Sequence, residues 1–267
     1  SYLDNKPLAQ CIDGVAKFTL NDKVFDYECH KYDLMGFVSL DEMDASIGND
    51  CWGWTDPLTE NEYALMGLDN GTGIINVTNP TKPIYLGKIP SASGSSMWRD
   101  IKVFKNYAFI VSEASGHGLQ IFDLTKLRGI YHEQTHSVDL TYTGFGQAHN
   151  IAINEGSGYA YPTGIKEKGL HILNIKDPMN PVLELEYPEN GYSHDAQVIN
   201  YKGPDQNYHG KEIFIGSNED RVVLVDVTNK LEPKLLSVFN YDHQYTHQSW
   251  VTPVSYTHLR AHETSLH

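Results

Sequence analysis

Cysteine is scarce in this chain. There are three, Cys11, Cys29 and Cys51, and no two form a Cys-x-x-Cys pair. A zinc knuckle is therefore excluded. Cationic residues are also few: 20 Lys and Arg stand against 34 Asp and Glu, a formal net charge of −14. Such a surface repels phosphate backbones and anionic headgroups, which disfavours nucleic-acid binding and docking on acidic lipid. No apolar run reaches the roughly 18 residues of a membrane span, and mean hydropathy is −0.42. The G-x-S-x-G elbow, the phosphate loop and EF-hand spacing are all missing. Neither an initiating Met nor a signal peptide precedes Ser1, which reads as a processed or fragmentary start.

What is present is β-forming. The chain holds 17 Tyr, 22 Gly and 12 Pro, with many Val, Ile and Asn and few helix-forming stretches, so the composition reads as all-β. A repeat organises it. Gly71–Pro80, Gly118–Thr125, Gly169–Pro178 and Arg221–Thr228 share one pattern: a β-rich run, then Asn or Asp, an aliphatic residue and a polar pair. The Asn/Asp positions 76, 123, 174 and 226 are spaced by 47, 51 and 52 residues. Each run alternates as a half-buried strand does. A second strand precedes it, as in Tyr107–Val111 and Glu212–Ile215, and an outer strand follows a turn in Ile84–Ile89, Val182–Glu186 and Lys234–Phe239. A polar pair opens each unit: Asn49-Asp50, Arg99-Asp100, His149-Asn150 and His194-Asp195, with His247-Gln248 starting a fifth.

Four short antiparallel strands per unit of about 50 residues describe a β-propeller blade. The expectation is an all-β propeller of four-stranded antiparallel blades, about four of them plus the start of a fifth, over residues 45–253. Residues 1–44 fall outside the repeat and are expected to pack on the propeller. Cys11 and Cys29 can close a loop there if the protein is exported, leaving Cys51 over. Val254–Thr264 reads as a translated sequencing-library adapter, so 254–267 is set apart as an artefactual tail.

Trp52–Pro57, Glu62–Gly67, Gly94–Val103 and Ala108–Gly118 resemble the choice-of-anchor B proteins, which are built from LVIVD repeats. The resemblance runs from about Cys11 to Thr252. It implies a propeller fold and an exported protein held at the cell surface by a variable C-terminal anchor. It implies no reaction and no catalytic residues. The chain departs from the family pattern in lacking signal and anchor, and in Cys51 where an aliphatic residue is expected.

In a propeller the first strand of each blade lines the channel, so equivalent residues form rings. One ring reads Asn49, Arg99, His149, His194, His247; the next reads Asp50, Asp100, Asn150, Asp195, Gln248. His149, His194 and His247 are expected to converge at the channel mouth, where neutral imidazoles suit Zn, Cu, Fe or Ni. Alternatively, the His and Asp residues make blade-to-blade hydrogen bonds. Arg99, with Trp98 and Asp100 beside it, offers a fork for a carboxylate or anionic sugar, or else a bridge to Asp50 or Asp100. Trp52 and Trp54 near Tyr63 offer an aromatic platform for a sugar or peptide, or inter-blade packing. Ser112, Glu113 and His117 cluster in one turn without the geometry a nucleophile needs. Asn70-Gly71 is the type I′ pair expected in a hairpin. The function expected is an exported or cell-surface binding module for a protein, peptide or glycan, with no membrane span in this chain. The alternative is a metal-dependent enzyme using the three histidines.

Overall fold

The computed structural model describes residues 6–165, 169–242 and 245–251, and of residues 190 and 259–263 the backbone alone. The chain begins with a small sheet of β1 (Cys11–Ile12), β2 (Val15–Leu20) and β3 (Lys23–Glu28). Asn21 and Asp22 join β2 to β3 with φ of 49° and 62°, the mirror-image turn whose twist suits a two-residue hairpin. A disulfide joins Cys11 to Cys29, 18 residues apart, and Phe18 stacks on Phe25 at 5.1 Å.

Four larger antiparallel sheets follow in chain order. The first is β4 (Gly48–Thr55), β5 (Glu62–Leu68), β6 (Gly71–Asn76) and β7 (Ile84–Pro90). The second begins with β8 (Arg99–Phe104), β9 (Tyr107–Ser112) and β10 (Leu119–Asp123); the chain then forms β11 (Gln134–Thr135) before the outer strand β12 (Leu140–Tyr142). The third is β13 (Asn150–Asn154), β14 (Tyr159–Thr163), β15 (Leu170–Asn174) and β16 (Val182–Tyr187). The fourth is β17 (Asp195–Asn200), β18 (Glu212–Ser217), β19 (Val222–Asp226) and β20 (Lys234–Phe239). A fifth opens with β21 (Thr246–Val251), beside which the backbone of β22 (Leu259–Glu263) runs antiparallel. This is the β-propeller the repeat predicts, four blades and part of a fifth. Of the tail set apart at 254–267, residues 254–258 and 264–267 lie outside the described residues.

Each blade packs against the next through its own apolar layer. Ile74, Leu86, Ile101 and Ile110 join the first two blades. Phe109, Leu119, Ile151 and Leu173 join the second and third. Ala152, Tyr161, Phe214 and Val225 join the third and fourth. The middle strands are consequently buried on both faces, as in Leu119–Phe122 of β10, and not half-buried as the alternation suggested. A sheet sandwiched between two others has no solvent side. Met43, with Val38 and Leu40, covers the outer side of the first blade against Leu68 and Tyr85.

The repeated Asn/Asp makes the same turn four times. The side-chain oxygens of Asn76, Asp123, Asn174 and Asp226 accept the backbone N–H two residues on, at 3.0, 2.9, 3.2 and 3.0 Å. A short side chain closing on its own backbone supplies the turn chemistry here. In the first, third and fourth blades the register slips one residue before that Asn/Asp, at Ile74/Ile75, Ile172/Leu173 and Leu224/Val225. The second blade differs. Its chain leaves β10, passes through a short 3-10 turn at Leu124–Leu127 and crosses to the first blade. There β11 adds a parallel strand to β7. The approach is close enough that a Cβ on Gly87 (φ +100°) would meet the carbonyl of Gln134. The Asn70-Gly71 pair is not the expected mirror-image turn. The turn residues are Asp69 and Asn70, and Gly71 lies inside β6, where a Cβ would come 2.4 Å from the carbonyl oxygen of Ile89.

Candidate functional site

The innermost strand of a blade has an edge facing the channel, so its N–H groups lack a sheet partner. Side chains of the blade before supply partners. From the second ring, Asp50 accepts from the N–H of Ile101 at 3.0 Å and Asp100 from Ile151 at 2.7 Å; in the fourth blade Gln197, two residues beyond the ring position Asp195, accepts from Val251 at 2.8 Å. Asn49 does the same for the N–H of Arg99 at 3.2 Å. Asp100, proposed from sequence as a ligand contact, is thus a stitch between the second and third blades, and Lys102 also reaches it at 2.8 Å. Burial pushes the Asp100 carboxyl well above the usual carboxylate range. Asp195 accepts from Ala196 in its own strand, and burial raises it too.

Arg99 does not face a ligand. It is fully buried. Its Nε donates to the carbonyl of Leu68 at 2.9 Å, Nη2 to the hydroxyl of Ser91 at 2.9 Å, and Nη1 to Nε2 of His117 at 2.8 Å. The carboxylate fork and the bridge to Asp50 or Asp100 are both replaced by these internal partners. Because guanidinium only donates, His117 Nε2 must accept, and its Nδ1–H then points to the carbonyl of Gly118 at 3.1 Å. Burial, with Arg99 beside it, holds His117 down to about 4. Ser112 donates instead to the carbonyl of Trp98, so Ser112, Glu113 and His117 go three separate ways.

Trp54 is buried, stacked on Tyr63 at 5.3 Å between the first two blades, and serves packing. Trp52 is 38% exposed. The ammonium of Lys102 rests 4.5 Å above its ring. With Trp250, Gln197 and Lys102 it lines a channel cavity of about 130 Å³.

The three histidines do meet. His149 and His194 have ring centroids 4.1 Å apart, and His194 and His247 4.5 Å. They stand in file, with Trp98 against His149 at 5.4 Å and Tyr245 edge-on to His194 at 5.4 Å. His149 Nδ1 faces Glu113 Oε1 at 2.8 Å, and His194 Nδ1 faces the carbonyl of His247 at 3.1 Å. Tyr245 donates its hydroxyl to Glu219 at 2.9 Å. Burial, and then the neighbouring imidazoles, bring His194 down to about 4; burial also lowers His247. The expected metal cage is corrected in one respect. The rings overlap instead of closing on a point, and among the described residues no group of three or more His, Cys, Asp or Glu is arranged to hold an ion.

Sequence reasoning missed Glu219, Tyr192 and Tyr245. Tyr192 sits near Glu113 and Glu219, and its phenol is pushed up to about 12 by burial and by those carboxylates. A signal existed: Tyr192-Ser-His194 and Tyr245-Thr-His247 repeat a Tyr two residues before His.

Blades stitched at an inner edge and a polar mouth define a β-propeller. Residues 145–188 match the LVIVD repeat. Two solved structures share the fold at 12% identity and a TM-score of 0.54, covering 75% of this chain: one of COPII on membranes, outer coat vertex, and one of the COPII coat assembled on membranes. The chain matches 53% and 29% of their respective lengths. AztD from Citrobacter koseri aligns over 93% of the chain and 59% of its own, with 16% identity and a TM-score of 0.46. Curated protein sequences give no match. Among the described residues no helix is long and apolar enough to cross a membrane.

Proposed function

We propose that this chain is an exported recognition module of the choice-of-anchor B kind, held at the cell surface in its full form. It binds a protein, peptide or glycan at the channel mouth. The observation that carries the reading is the gathering of Trp98, His149, His194, His247 and Tyr245 at one end of the inner strands. His149 and His194 also bond across to a neighbouring blade, while the Trp98 ring stays exposed beside them. An exposed indole backed by part-buried rings with polar atoms is what recognition sites are built from. The Cys11–Cys29 disulfide supports an oxidising compartment.

Peptide and glycan arrays test the binding. A ligand retained by the wild type and by Tyr131→Ala, but lost by Trp98→Ala and Tyr245→Ala, is the expected result. Arrays that yield no ligand, or a ligand indifferent to both mouth substitutions, refute it. Thiol counting tests the compartment: protein directed to an oxidising compartment should keep one free thiol, Cys51. What favours the second reading, a metal-dependent enzyme, is the meeting of three imidazoles; it stands or falls with metal binding there.

A further inference from the structure

We propose that the far end of the channel holds a second binding site, which takes one uncharged pyranose ring, such as the terminal residue of a glycan. It lies apart from the mouth and does not rest on the recognition reading. All five inner strands line the cavity of about 130 Å³. Its residues Lys102, Ile153, Val198 and Trp250 stand three or four positions after the opening residues Arg99, His149, His194 and His247. At about 3.3 Å of rise per residue, that is roughly 10 Å down the channel from the histidines. Ala152 and Ala196 keep the space open, because longer side chains there would project into it. Room near 130 Å³ is close to that of the apolar cavity that admits benzene, so it takes a single six-membered ring. The exposed Glu155 marks its solvent side, where substituents of that ring pass out.

The lining chooses the kind of ring. Trp52 and Trp250 are 38% and 50% exposed. The ammonium of Lys102, bonded to Asp100 at 2.8 Å, pins the Trp52 indole from 4.5 Å above it, so that wall is set before a ligand arrives. Among the described residues that line the cavity, Lys102 is the one cation. Asp100 and Asp50 already meet it, so little is left to hold an anion, and the same ammonium opposes a cationic ligand. Hydrogen-bonding groups do remain. Among the described residues, neither indole N–H has a partner, nor has the Glu155 carboxylate, nor the amide NH2 of Gln197, whose oxygen serves Val251. A pyranose answers both needs. Its C–H face stacks on an indole, and its oxygens accept from the N–H groups while a hydroxyl donates to the carboxylate. A bare aromatic ring answers only the first.

The test uses the full chain, with the methyl pyranosides of glucose, galactose, mannose and N-acetylglucosamine as probes, read by saturation-transfer NMR and tryptophan fluorescence. At least one should bind saturably, with a dissociation constant on the order of 1 mM for so small a ligand. Saturation should reach the C–H protons of one ring face first. Trp250→Ala should abolish binding. Gln197→Glu, which keeps the acceptor for Val251 and removes the donor, should weaken it about tenfold. Trp98→Ala, at the mouth, should leave it unchanged, so the two sites fail separately. Phenol, a ring of similar size, should bind more weakly than the best sugar. If Trp250→Ala does not fold, the saturation pattern on the wild type decides. No saturable binding by any of the four probes, saturation spread evenly over both ring faces, or tighter binding of phenol would overturn the site. So would binding that Trp250→Ala keeps or that Trp98→Ala loses.

Discussion

The two ends of a blade have been treated differently. At the closing end, Asn76, Asp123, Asn174 and Asp226 make one turn four times over, with nearly constant geometry. At the opening end, equivalent positions carry Asn49, Arg99, His149, His194 and His247, which serve three different purposes. Asn49 caps a backbone amide, Arg99 is entombed between blades, and the histidines stand in file at the mouth. A shape that must recur fixes its residues. A ring that only has to face an axis leaves them free, and that freedom is where chemistry enters.

The comparison is broken most severely at Arg99. Arg99→Ala removes a large buried side chain and strands the carbonyl of Leu68 and the acceptor of His117. A loss of about 3–5 kcal/mol in urea unfolding is expected. A loss below 1 kcal/mol would show that the opening end tolerates even its buried member. Next comes pH. His117 is held near 4 in the folded chain against 6.5 in the open one, so the unfolded state takes up the extra proton between those values. Its contribution is fully present above about pH 6.5 and is lost as pH falls toward 4, by up to about 3 kcal/mol. His117→Gln should flatten that slope when urea midpoints are compared at pH 7 and 4.5.

Smaller effects sharpen the contrast. Asp100→Ala leaves the N–H of Ile151 without its partner, which costs about 2 kcal/mol. Hydrogen exchange at that amide should quicken, while Asp100→Asn, which keeps an acceptor, should restore it. At the closing end, Asn76→Ala and Asn174→Ala should each cost about 1 kcal/mol by removing a turn acceptor. Lying in different blades, they should add in the double variant. Unequal costs, or strong non-additivity, would mean that the four turns are alike in form only.

Much of the fold was legible because the repeat is periodic in the residues that make turns. The spacing of positions 76, 123, 174 and 226 located the blades, and the opening pairs located the inner strands. The same register brought His149, His194 and His247 together. Register says which residues circle the axis, but not which are sealed between blades. Spacing therefore left Arg99 open between a ligand contact and an internal bridge, and Trp54 between a ligand platform and inter-blade packing. Nor does spacing report ring orientation, so the file of imidazoles could not be told from a cage. Glu219 and Tyr245 reach the mouth from connections whose lengths vary, which carry no periodic signal. The outer strand of the second blade, Leu140–Tyr142, was hidden by the excursion that precedes it.

That excursion changes how the first two blades come apart. With Gln134–Thr135 paired along the edge of β7, and Arg128 gripping the buried carboxylate of Asp56 through two bonds, neither blade can peel away while the other stays whole. The front of the arc behaves as a single clasped body. Among the described residues the third and fourth blades exchange no strand and are joined by side-chain bonds such as Asn154 to Asn200 and Tyr161 to Glu212, so loosening is expected to start on the histidine side.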